Sequence, residues 1–316
     1  MPSTTPSSSD CDPGPEQITL LDGTVAELGQ EKNGWSLQIN GIRQSHIGPA
    51  GAAPALAASR WMLAALGADL PQRCAVLGGG LLTLPRVIAA RRPGAEQVVL
   101  ELEPALVRLA TQRFGLPEGV DLRLGNAREW LDDPNVTGPA SDFDAIVIDI
   151  FTGGRIPPDF TCLECFTAAR EKLGPTGRLV INSVAGPQLD FTRRELATMQ
   201  AVFAHVAMIA QGSALKGLRF GNATLIGSQA PLDVEAIRAH LAQDSSRGAL
   251  VTDLAPLVGD AQPIREAEQV WSPEPDLPNF DAMLKALDGL KKMQRQVQEA
   301  FGPAGGREGD QDHQEK

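Results

Sequence analysis

Hydrophobic residues change their spacing several times along this chain. Between about residues 17 and 47, short runs of alternating apolar and polar residues are interrupted by Asn33-Gly34 and Asn40-Gly41. Asn and Gly tolerate the positive φ angles of tight hairpin turns, so we expect a small antiparallel sheet with the strands TVAELGQ, WSLQI and IRQSHI. A helix is predicted to follow, around Ala53–Leu66.

From about residue 73 the pattern becomes a series of short, mostly continuous apolar runs: CAVLG, QVVLEL, VDLRLG, FDAIVID and GRLVINS. Such runs are typical of strands that are buried on both faces of a sheet. Helices are predicted between them, at Leu84–Arg91, Pro104–Phe114, Ala127–Leu131 and Leu163–Leu173. This alternation predicts a parallel, doubly wound sheet with right-handed crossovers.

A further helix at Gln188–Val202 and two strands, HVAMIAQ and FGNATLIGS, complete the pattern. Seven strands that end in such a hairpin-like pair favour the class I methyltransferase variant of the fold over the dinucleotide dehydrogenase variant. We therefore expect an α/β protein with a Rossmann-like, doubly wound seven-stranded sheet of class I methyltransferase type and a small N-terminal antiparallel β-domain.

The same pattern predicts five parts along the chain. Residues 1–16 are rich in Ser, Pro and Thr and are expected to be disordered, 17–50 form the β-hairpin domain and 51–230 the nucleotide-binding domain. Residues 231–301 are predicted to be a C-terminal helical extension, in which Phe280–Phe301 has apolar residues at helical spacing. The charged, glycine-rich tail at 302–316 is expected to be disordered.

Composition narrows the class of protein. The chain carries 39 acidic and 28 basic residues, a formal net charge of -11, so phosphate backbones should repel it and we expect no nucleic acid among its partners. Four cysteines are too few for a disulfide framework in 316 residues, which favours a reducing cytoplasm. There is no signal-peptide pattern and no apolar run long enough to span a membrane. We therefore expect a soluble, cytoplasmic protein without a membrane partner.

A glycine triplet, Gly78-Gly79-Gly80, follows the first strand of the predicted parallel sheet. Glycine lets the backbone turn sharply there and lets a ligand approach where a Cβ would collide. The dinucleotide-binding fingerprint needs a third glycine three residues later, but that position is Thr83. The triplet therefore favours a nucleoside with an amino-acid tail over a pyrophosphate, and the alternative is a tight turn that binds no ligand.

An acidic residue, Glu101, lies near the end of the second strand, about 20 residues after the glycines. At this position in Rossmann-like folds a carboxylate accepts hydrogen bonds from two ribose hydroxyls. The alternative is a solvated carboxylate at a strand end. Glu103 directly precedes Pro104, so we interpret it as the N-cap of a helix that has proline at its first position.

Two further strand ends carry candidate chemistry. Gly125 and Asn126 follow the third strand, where the glycine leaves room for an adenine base and the asparagine amide bonds its edge, caps the next helix, or does both. Asp149 ends the fourth strand, where its carboxylate is a candidate to hold an amine, to accept its proton, or only to cap a loop. The isolated C-x-x-C of Cys162 and Cys165 lacks the partners of a zinc site, so we expect buried thiols and no metal.

In this order, the motifs INGIRQS, VLGGG, VVLELEP, LGNAREWL, FDAIVIDIF and KLGPTGRLVIN resemble the spermidine synthase (polyamine aminopropyltransferase) family, from about residue 23 to about 228. Members of that family transfer an aminopropyl group from decarboxylated S-adenosylmethionine to putrescine and are commonly dimers or tetramers. The resemblance implies that Gln44 contacts the tail of the nucleotide, Glu101 the ribose and Asn126 the adenine. It also implies that Asp149 is the catalytic aspartate.

Three features depart from that family. Leu81 stands where an aspartate normally follows the glycines and holds the aminopropyl ammonium, and Thr152 replaces the second aspartate of the catalytic loop. The tyrosines that line the diamine site are missing, because the chain contains no tyrosine. Each charge-assisted hydrogen bond contributes roughly 1.5–3 kcal/mol, so losing two carboxylates predicts putrescine binding weaker by about a hundredfold or more.

Three functions stay open on the sequence alone. The first is an aminopropyltransferase-like enzyme that uses Asp149 as its base and an amine acceptor other than putrescine, or uses putrescine poorly. The second is an S-adenosylmethionine-dependent methyltransferase, in which Arg86 or the apolar loop favours the carboxylated donor. The third is a non-catalytic, nucleotide-binding oligomeric protein that uses the helix predicted at Phe280–Phe301.

The expected co-substrate is S-adenosylmethionine or its decarboxylated form, with no metal. The expected acceptor is a small-molecule amine or another nucleophile. From the resemblance we also expect a homodimer or a tetramer.

Overall fold

The computed structural model describes residues 15–136 and 142–275 of the 316-residue chain. Within them a four-stranded antiparallel sheet is followed by an eight-stranded α/β sheet. Residues 1–14 and 302–316, predicted to be disordered, and the helix predicted at Phe280–Phe301 lie outside the described residues. Over the part that is described, no helix combines the length and the apolar character needed to cross a membrane.

The small sheet contains the strands β1 (Glu16–Thr19), β2 (Val25–Glu31), β3 (Gly34–Ile39) and β4 (Ile42–Ile47), which pair in chain order. Asn40 and Gly41, between β3 and β4, have φ angles of 51° and 73°, as the predicted hairpin turn requires. The sequence pattern does not predict β1, which is only four residues long and pairs antiparallel with β2.

The large sheet is formed by the strands β5 (Arg73–Leu77), β6 (Glu96–Glu101), β7 (Val120–Leu124), β8 (Phe143–Ile148), β9 (Leu173–Ala185), β10 (His205–Gln211), β11 (Gly221–Ser228) and β12 (Gly248–Val251). Their order across the sheet is β12-β10-β11-β9-β8-β5-β6-β7. The neighbouring strands β9, β8, β5, β6 and β7 are parallel to one another. Strand β11 pairs antiparallel with β9, and β10 pairs antiparallel with β11 and with β12. This confirms the predicted Rossmann-like sheet of class I methyltransferase type.

The α-helices of the described residues are α1 (Ala57–Leu66), α2 (Thr83–Arg91), α3 (Pro104–Arg108), α4 (Ala127–Asp132), α5 (Leu163–Lys172), α6 (Asp190–Val202), α7 (Gly212–Leu215), α8 (Val234–Ala242) and α9 (Ala255–Val258). A π-helical turn, Leu109–Arg113, continues α3. Single 3-10 turns lie at Pro134–Val136, Pro158–Phe160, Pro187–Leu189 and Glu266–Glu268.

Helices cover both faces of the large sheet. Trp61 of α1 and Ile88 of α2 pack on one face together with residues of α8, and Phe166 of α5 and Leu196 of α6 pack on the other together with residues of α4. Strands that are apolar on both faces need such two-sided cover. The doubly wound arrangement predicted from the continuous apolar runs is therefore confirmed.

The sheet has eight strands rather than the seven predicted. The additional strand is β12, which pairs antiparallel with β10 and places Val251 opposite Met208. The segment from residue 231, predicted as a helical extension, begins with the helix α8 but is therefore not helical throughout. The four residues of β12 are too few to show the alternating pattern from which a strand is predicted. They are stabilised by pairing with the longer strand β10.

An apolar cluster joins the small sheet to the large domain. Leu28 and Leu37 of the small sheet pack with Leu81, Leu106 and Leu109 of the large domain. Complete burial of a leucine side chain stabilises a fold by roughly 1.5–3 kcal/mol relative to exposure. The cluster therefore holds the small sheet firmly against the loop that carries Leu81.

One carboxyl group, that of Glu195 in α6, is completely buried. The hydroxyl of Ser183 in β9 donates a hydrogen bond to Oε2 of Glu195, and Oε1 has no partner among the described residues. Burial raises the pKa of Glu195 to about 8, so the group is a neutral acid at pH 7.

Replacing Glu195 by glutamine is expected to change the dependence of stability on pH. Folded Glu195 keeps its proton up to about pH 8, whereas a glutamate in the unfolded chain ionises near pH 4.5. Its contribution is complete below the unfolded pKa and is lost as pH rises through the folded one, up to a few kcal/mol in total. The variant carries no such proton, so its melting temperature should fall less than that of the wild type between about pH 5 and pH 8.

The matched control is Glu235→Gln, because Glu235 is an exposed carboxylate that pairs with Arg238. Its melting temperature should follow the wild-type curve over the whole range. Parallel curves for Glu195→Gln and the wild type would show that Glu195 is ionised in the folded protein.

Candidate functional site

The glycine triplet crosses the carboxyl ends of β5, β6 and β8. Gly78 has φ of 94°, its N–H donates to the carbonyl oxygen of Leu100 at 2.9 Å, and a Cβ at this position would lie 2.1 Å from the carbonyl oxygen of Asp149. A Cβ on Gly79 would lie 3.0 Å from Val99 Cγ1. Gly78 is therefore required both by its backbone angle and by the close approach of Asp149.

Thr83, where a dinucleotide-binding loop has its third glycine, joins this loop to the small sheet. Its hydroxyl donates to the carbonyl oxygen of His46 at 2.9 Å and lies 2.9 Å from Oγ of Ser45. Ser45 Oγ in turn accepts the N–H of Leu81 at 3.3 Å. A glycine at position 83 would lose these contacts, so the departure from the fingerprint has a structural cause.

Glu101 is 8% exposed at the end of β6, and both of its carboxylate oxygens are hydrogen-bonded. Oε2 accepts the N–H of Gly80 at 2.6 Å, and Oε1 accepts the N–H of Glu103 at 2.9 Å. Burial raises the pKa of Glu101, whereas these backbone hydrogen bonds lower it. Glu101 is thus not a solvated strand end, and its carboxylate is fixed against the glycine loop.

The N-cap prediction for Glu103 is correct in position and wrong in contact. Pro104 is the first residue of α3, as predicted, but no side-chain hydrogen bond from Glu103 caps the helix. Instead Glu103 Oε2 accepts the N–H of Leu21, a residue that precedes β2, at 2.9 Å. A partner 82 residues away in sequence has replaced the local one.

The residues that follow β6 and β7 combine polar groups with one exposed apolar side chain. The N–H of Gly125 donates to the carbonyl oxygen of Glu101 at 3.0 Å. The side-chain oxygen of Asn126 accepts the N–H of Arg128 at 2.8 Å, which confirms it as the N-cap of α4, and its contact with adenine stays a prediction. Leu102, not identified from the sequence, is 58% exposed directly after Glu101. Its apolar side chain beside a buried carboxylate is a surface that a nucleoside base can cover.

Asp149 directly follows β8, and its side chain is half-buried. Its Oδ1 accepts a hydrogen bond from Nδ2 of Asn182 at 2.7 Å. Burial raises the pKa of Asp149, the hydrogen bond from Asn182 lowers it, and the negative charge of Glu101 raises it. The net shift is upward, toward the neutral range in which a general base is most effective.

The hydrogen bonds behind Asp149 extend to β11. Nδ2 of Asn222 donates to Oδ1 of Asn182 at 3.2 Å. Neither asparagine is identified from the sequence, although each is a polar residue inside a largely apolar strand, GRLVINS and FGNATLIGS. Which polar residues of different strands meet depends on the register of the sheet, and a single strand does not contain that information.

The chain reverses soon after Asp149 in a tight turn. The N–H of Thr152 donates to the carbonyl oxygen of Arg155 at 2.8 Å, with the reciprocal bond at 3.1 Å. Gly153 and Gly154 between them have φ angles of 58° and 80°, as a two-residue hairpin turn requires. Thr152 is exposed at the start of this turn and brings no charge to it.

A segment from the far end of the described chain, the strap Val270–Pro275, packs on this turn. Oγ of Ser272 accepts the N–H of Ile156 at 2.8 Å, and the carbonyl oxygen of Ser272 accepts Nε of Arg155 at 2.7 Å. Ser272 is completely buried. The sequence predicts only a proline-rich connector over Trp271–Phe280, so the role of residues 271–275 in holding the turn is new.

Leu81 and Gln44, which both stand at ligand-binding positions of the similar family, are in opposite surroundings here: Leu81 is buried and Gln44 is exposed. Leu81 is completely buried in the cluster that joins the two sheets. Gln44 is exposed, and its side-chain amide donates to the carbonyl oxygen of Ile42 in its own strand at 3.4 Å. The residue of β4 that contacts the glycine loop is Ser45, at 3.5 Å from a Cβ built on Gly80. A contact of Gln44 with the nucleotide tail stays a prediction.

Cys162 and Cys165 are free, completely buried thiols at the start of α5. Burial raises the pKa of both, which disfavours the thiolate that binds metals. Across residues 15–136 and 142–275, no group of three or more His, Cys, Asp or Glu side chains is placed to hold a metal ion.

Comparison with known proteins identifies similar chains. No family model matches this chain. A solved structure described as a probable spermidine synthase from Corynebacterium glutamicum has 30% sequence identity and a TM-score of 0.72, and the match covers 79% of this chain and 95% of the other. The similarity therefore extends over most of this chain and over nearly all of the other.

Curated relatives match over shorter stretches. A polyamine aminopropyltransferase from Vibrio vulnificus is 27% identical over 135 residues, 42% of this chain and 44% of its own length. An N-terminal histidine N-methyltransferase from Emericella nidulans is 26% identical over 136 residues, 43% of this chain and 24% of its own length. This chain thus spans less than half the length of each of these curated relatives.

Gly78→Ala is expected to destabilise the protein more than an alanine at an open glycine. The added Cβ would overlap the carbonyl oxygen of Asp149 at 2.1 Å, and the φ of 94° adds strain. Gly94, with φ of 82° and no atom within 4 Å of its Cβ position, is the matched control. Gly94→Ala should cost about 1 kcal/mol and Gly78→Ala several, measured by denaturant unfolding. Equal losses would mean that the close approach of Gly78 and Asp149 is unimportant.

Proposed function

The chain belongs to the spermidine synthase family, and from that premise we propose that it binds S-adenosylmethionine or its decarboxylated form at the carboxyl ends of β5, β6 and β7. The observation that carries the proposal is the contact between the buried carboxylate of Glu101 and the N–H of Gly80 at 2.6 Å. It supports the proposal because a carboxylate held in this position can accept hydrogen bonds from ribose hydroxyls beside a glycine loop, where no Cβ atoms block a ligand. The adenine then lies on Leu102, with its edge toward Asn126.

The proposed reaction is an in-line displacement at a carbon bonded to the donor's sulfonium. The acceptor's nitrogen forms a bond to that carbon while the carbon–sulfur bond breaks, and the electron pair leaves with sulfur. The proton released by the amine passes to Asp149. A carboxylate whose pKa is raised by burial suits this role, because it holds the proton better than an exposed aspartate does.

The proposed acceptor is an amine other than putrescine, or putrescine used poorly. Leu81 is buried in the apolar cluster and offers no charge to an ammonium group. Thr152 is exposed and neutral at the start of the turn after Asp149. With no tyrosine in the chain, the site also lacks the side chains with which the family is expected to line the diamine site.

A methyltransferase is the second candidate, and the burial of Leu81 favours it. The carboxylate that would hold the ammonium of a decarboxylated donor is absent at this position, so the site makes no demand for that donor. One relative is named as an N-methyltransferase. The released nucleoside distinguishes the two reactions: methylthioadenosine for aminopropyl transfer, S-adenosylhomocysteine for methyl transfer.

The assembly and the cellular setting complete the proposal. We propose a homodimer or a tetramer that acts on a small-molecule acceptor in the cytoplasm, without nucleic acid or membrane. The net charge of -11 supports the cationic small-molecule acceptor and the absence of nucleic acid, since it attracts cations and repels polyanions.

Glu101→Gln is expected to weaken nucleoside binding about tenfold or more, because it removes charge-assisted acceptance from the ribose hydroxyls. The measurement is a thermal-shift titration with S-adenosylmethionine, its decarboxylated form and methylthioadenosine, with NAD as a comparison. A ligand at a hundred times its dissociation constant adds about 2.7 kcal/mol to stability.

The control is Glu103→Gln, two residues away, since its amide oxygen can still accept the N–H of Leu21. Its nucleoside affinity should equal that of the wild type. If NAD stabilises the protein and none of the three nucleosides does, the proposed ligand is wrong.

Asp149→Asn should lower the transfer rate by roughly 10²–10⁴-fold, the usual effect of a lost general base. The assay follows release of methylthioadenosine and of S-adenosylhomocysteine over a panel of amines that includes putrescine. Asp159→Asn, an exposed aspartate on the same connection between β8 and α5, is the control and should leave the rate unchanged. Rapid spermidine formation from putrescine would overturn the proposed acceptor. The absence of either product, with nucleoside still bound, would favour a non-catalytic protein.

A further inference from the structure

We infer that Asn182 is a positioning residue for Asp149 and that Asn222 fixes the direction in which Asn182 presents its amide. The inference rests on the proposed function, because it takes Asp149 as the group that receives the acceptor's proton. Neither asparagine touches the reacting atoms, so their effect would pass through the orientation and the protonation of one carboxylate.

The sheet itself brings the three side chains together. Ile148 at the end of β8 pairs with Ile181 of β9, so Asp149 and Asn182 follow these partners at the same edge. Asn182 is 7% exposed and donates to Asp149 Oδ1 at 2.7 Å. Asn222, near the start of β11, reaches Asn182 Oδ1 from the next strand at 3.2 Å. A short chain of hydrogen bonds therefore runs across three strands and ends on one oxygen of Asp149.

The direction of this chain is what matters chemically. The amide of Asn182 has a donor end and an acceptor end. If it were turned around, its oxygen would face the carboxylate of Asp149, and two acceptors would repel each other. The amino group of Asn222 donates to the oxygen of Asn182, a contact that fits only the orientation with the donor end on Asp149. Asn222, whose side chain is exposed, thus helps to fix the direction without contacting Asp149, whose ionised carboxylate can only accept.

The second oxygen of Asp149 is left available by this arrangement. Oδ1 is engaged by Asn182, while Oδ2 receives no hydrogen bond from any residue in the described part of the chain. A carboxylate held at one oxygen rotates less freely, so its other oxygen keeps a more constant direction. Such fixed orientation is worth a large factor in rate when a proton must be transferred in the transition state.

The same hydrogen bond opposes the effect of burial on the protonation of Asp149. Burial raises the pKa of Asp149, and the charge of Glu101 on β6 raises it further, whereas Asn182 lowers it. The other groups beside it, Gly78 after β5 and Asn222 on β11, carry no charge. Asn182 is therefore the neighbour that favours the ionised form of Asp149, and its loss would raise the pKa of Asp149 further.

The experiment compares Asn182→Leu and Asn222→Leu, which keep the size of the side chain and remove its hydrogen bonds. The assay uses an acceptor with which the wild type is active, and it follows release of the nucleoside product. In this assay Asn182→Leu should lower kcat about tenfold to a hundredfold, while the KM for the nucleoside donor changes little. The acid limb of its pH–rate profile should move toward higher pH, because the pKa of Asp149 rises when the hydrogen bond from Asn182 is lost. Asn222→Leu should show a smaller decrease with the same direction of shift.

Thr224→Val is the matched control. Thr224 stands directly opposite Asn182 in the pairing of β9 with β11, and its hydroxyl is buried without a partner among the described residues. The change is nearly isosteric and removes no hydrogen bond, so kcat and the pH profile should stay at wild-type values. An equal loss in Thr224→Val would show that any disturbance of these strands lowers activity, and would overturn the inference.

A second measurement tests the contact without using activity. In a double-mutant cycle of Asn182→Leu and Asp149→Asn, the free energy of unfolding should show coupling between the two positions, and the coupling should shrink as the pH is lowered and Asp149 is protonated. Absence of coupling would overturn the inference even if transfer occurs. Coupling without release of either nucleoside product by the wild type would instead overturn the proposed function and leave the asparagines with a structural role. A lower kcat in Asn182→Leu with an unmoved pH profile would also exclude positioning of Asp149.

Discussion

The carboxylate of Glu101 and the backbone of the glycine loop depend on each other, and the remaining parts of the candidate site are arranged around their contact. The 2.6 Å hydrogen bond from the N–H of Gly80 draws the loop over the end of β6. Gly78 can then pass close to the carbonyl group of Asp149 only because it has no Cβ. The carboxylate of Glu101 thus holds the glycine loop, and the loop passes directly beside the end of β8.

The small sheet takes part in this arrangement through residues that look like departures from a nucleotide-binding motif. Thr83 replaces a glycine and ties the start of α2 to His46. Leu81 replaces an expected carboxylate and becomes part of the apolar cluster between the two sheets. Both residues thus connect the loop to the small sheet, Thr83 by hydrogen bonds and Leu81 by apolar packing. Replacing Leu81 by aspartate would bury a charge within this apolar cluster. The change would lower stability by several kcal/mol unless a partner for the charge were introduced with it.

The sequence predicts well those structural features that depend on residues close together in the chain. Continuous apolar runs gave the parallel strands, because burial on both faces needs no information from elsewhere in the chain. The spacing between the glycines and Glu101 reflects one βαβ unit and is equally local. The N-cap contact assigned to Glu103 failed because Leu21, far away in sequence, offers a better placed N–H. Asn182 and Asn222 were missed for a similar reason, since their meeting depends on the registers of β8, β9 and β11.

The strap Val270–Pro275 has a consequence for the biosynthesis of the protein. Ser272 lies 116 residues after Ile156, whose N–H it accepts. A chain that emerges from the ribosome from its N-terminus can form β5 to β9 and the glycine loop long before Ser272 is translated. The turn beyond Asp149 is closed by its own hydrogen bonds between Thr152 and Arg155, but its contacts with Ser272 can form only after this late segment has been made. The glycine loop and the strands beside it can therefore form before the connection after β8 receives its last hydrogen bonds.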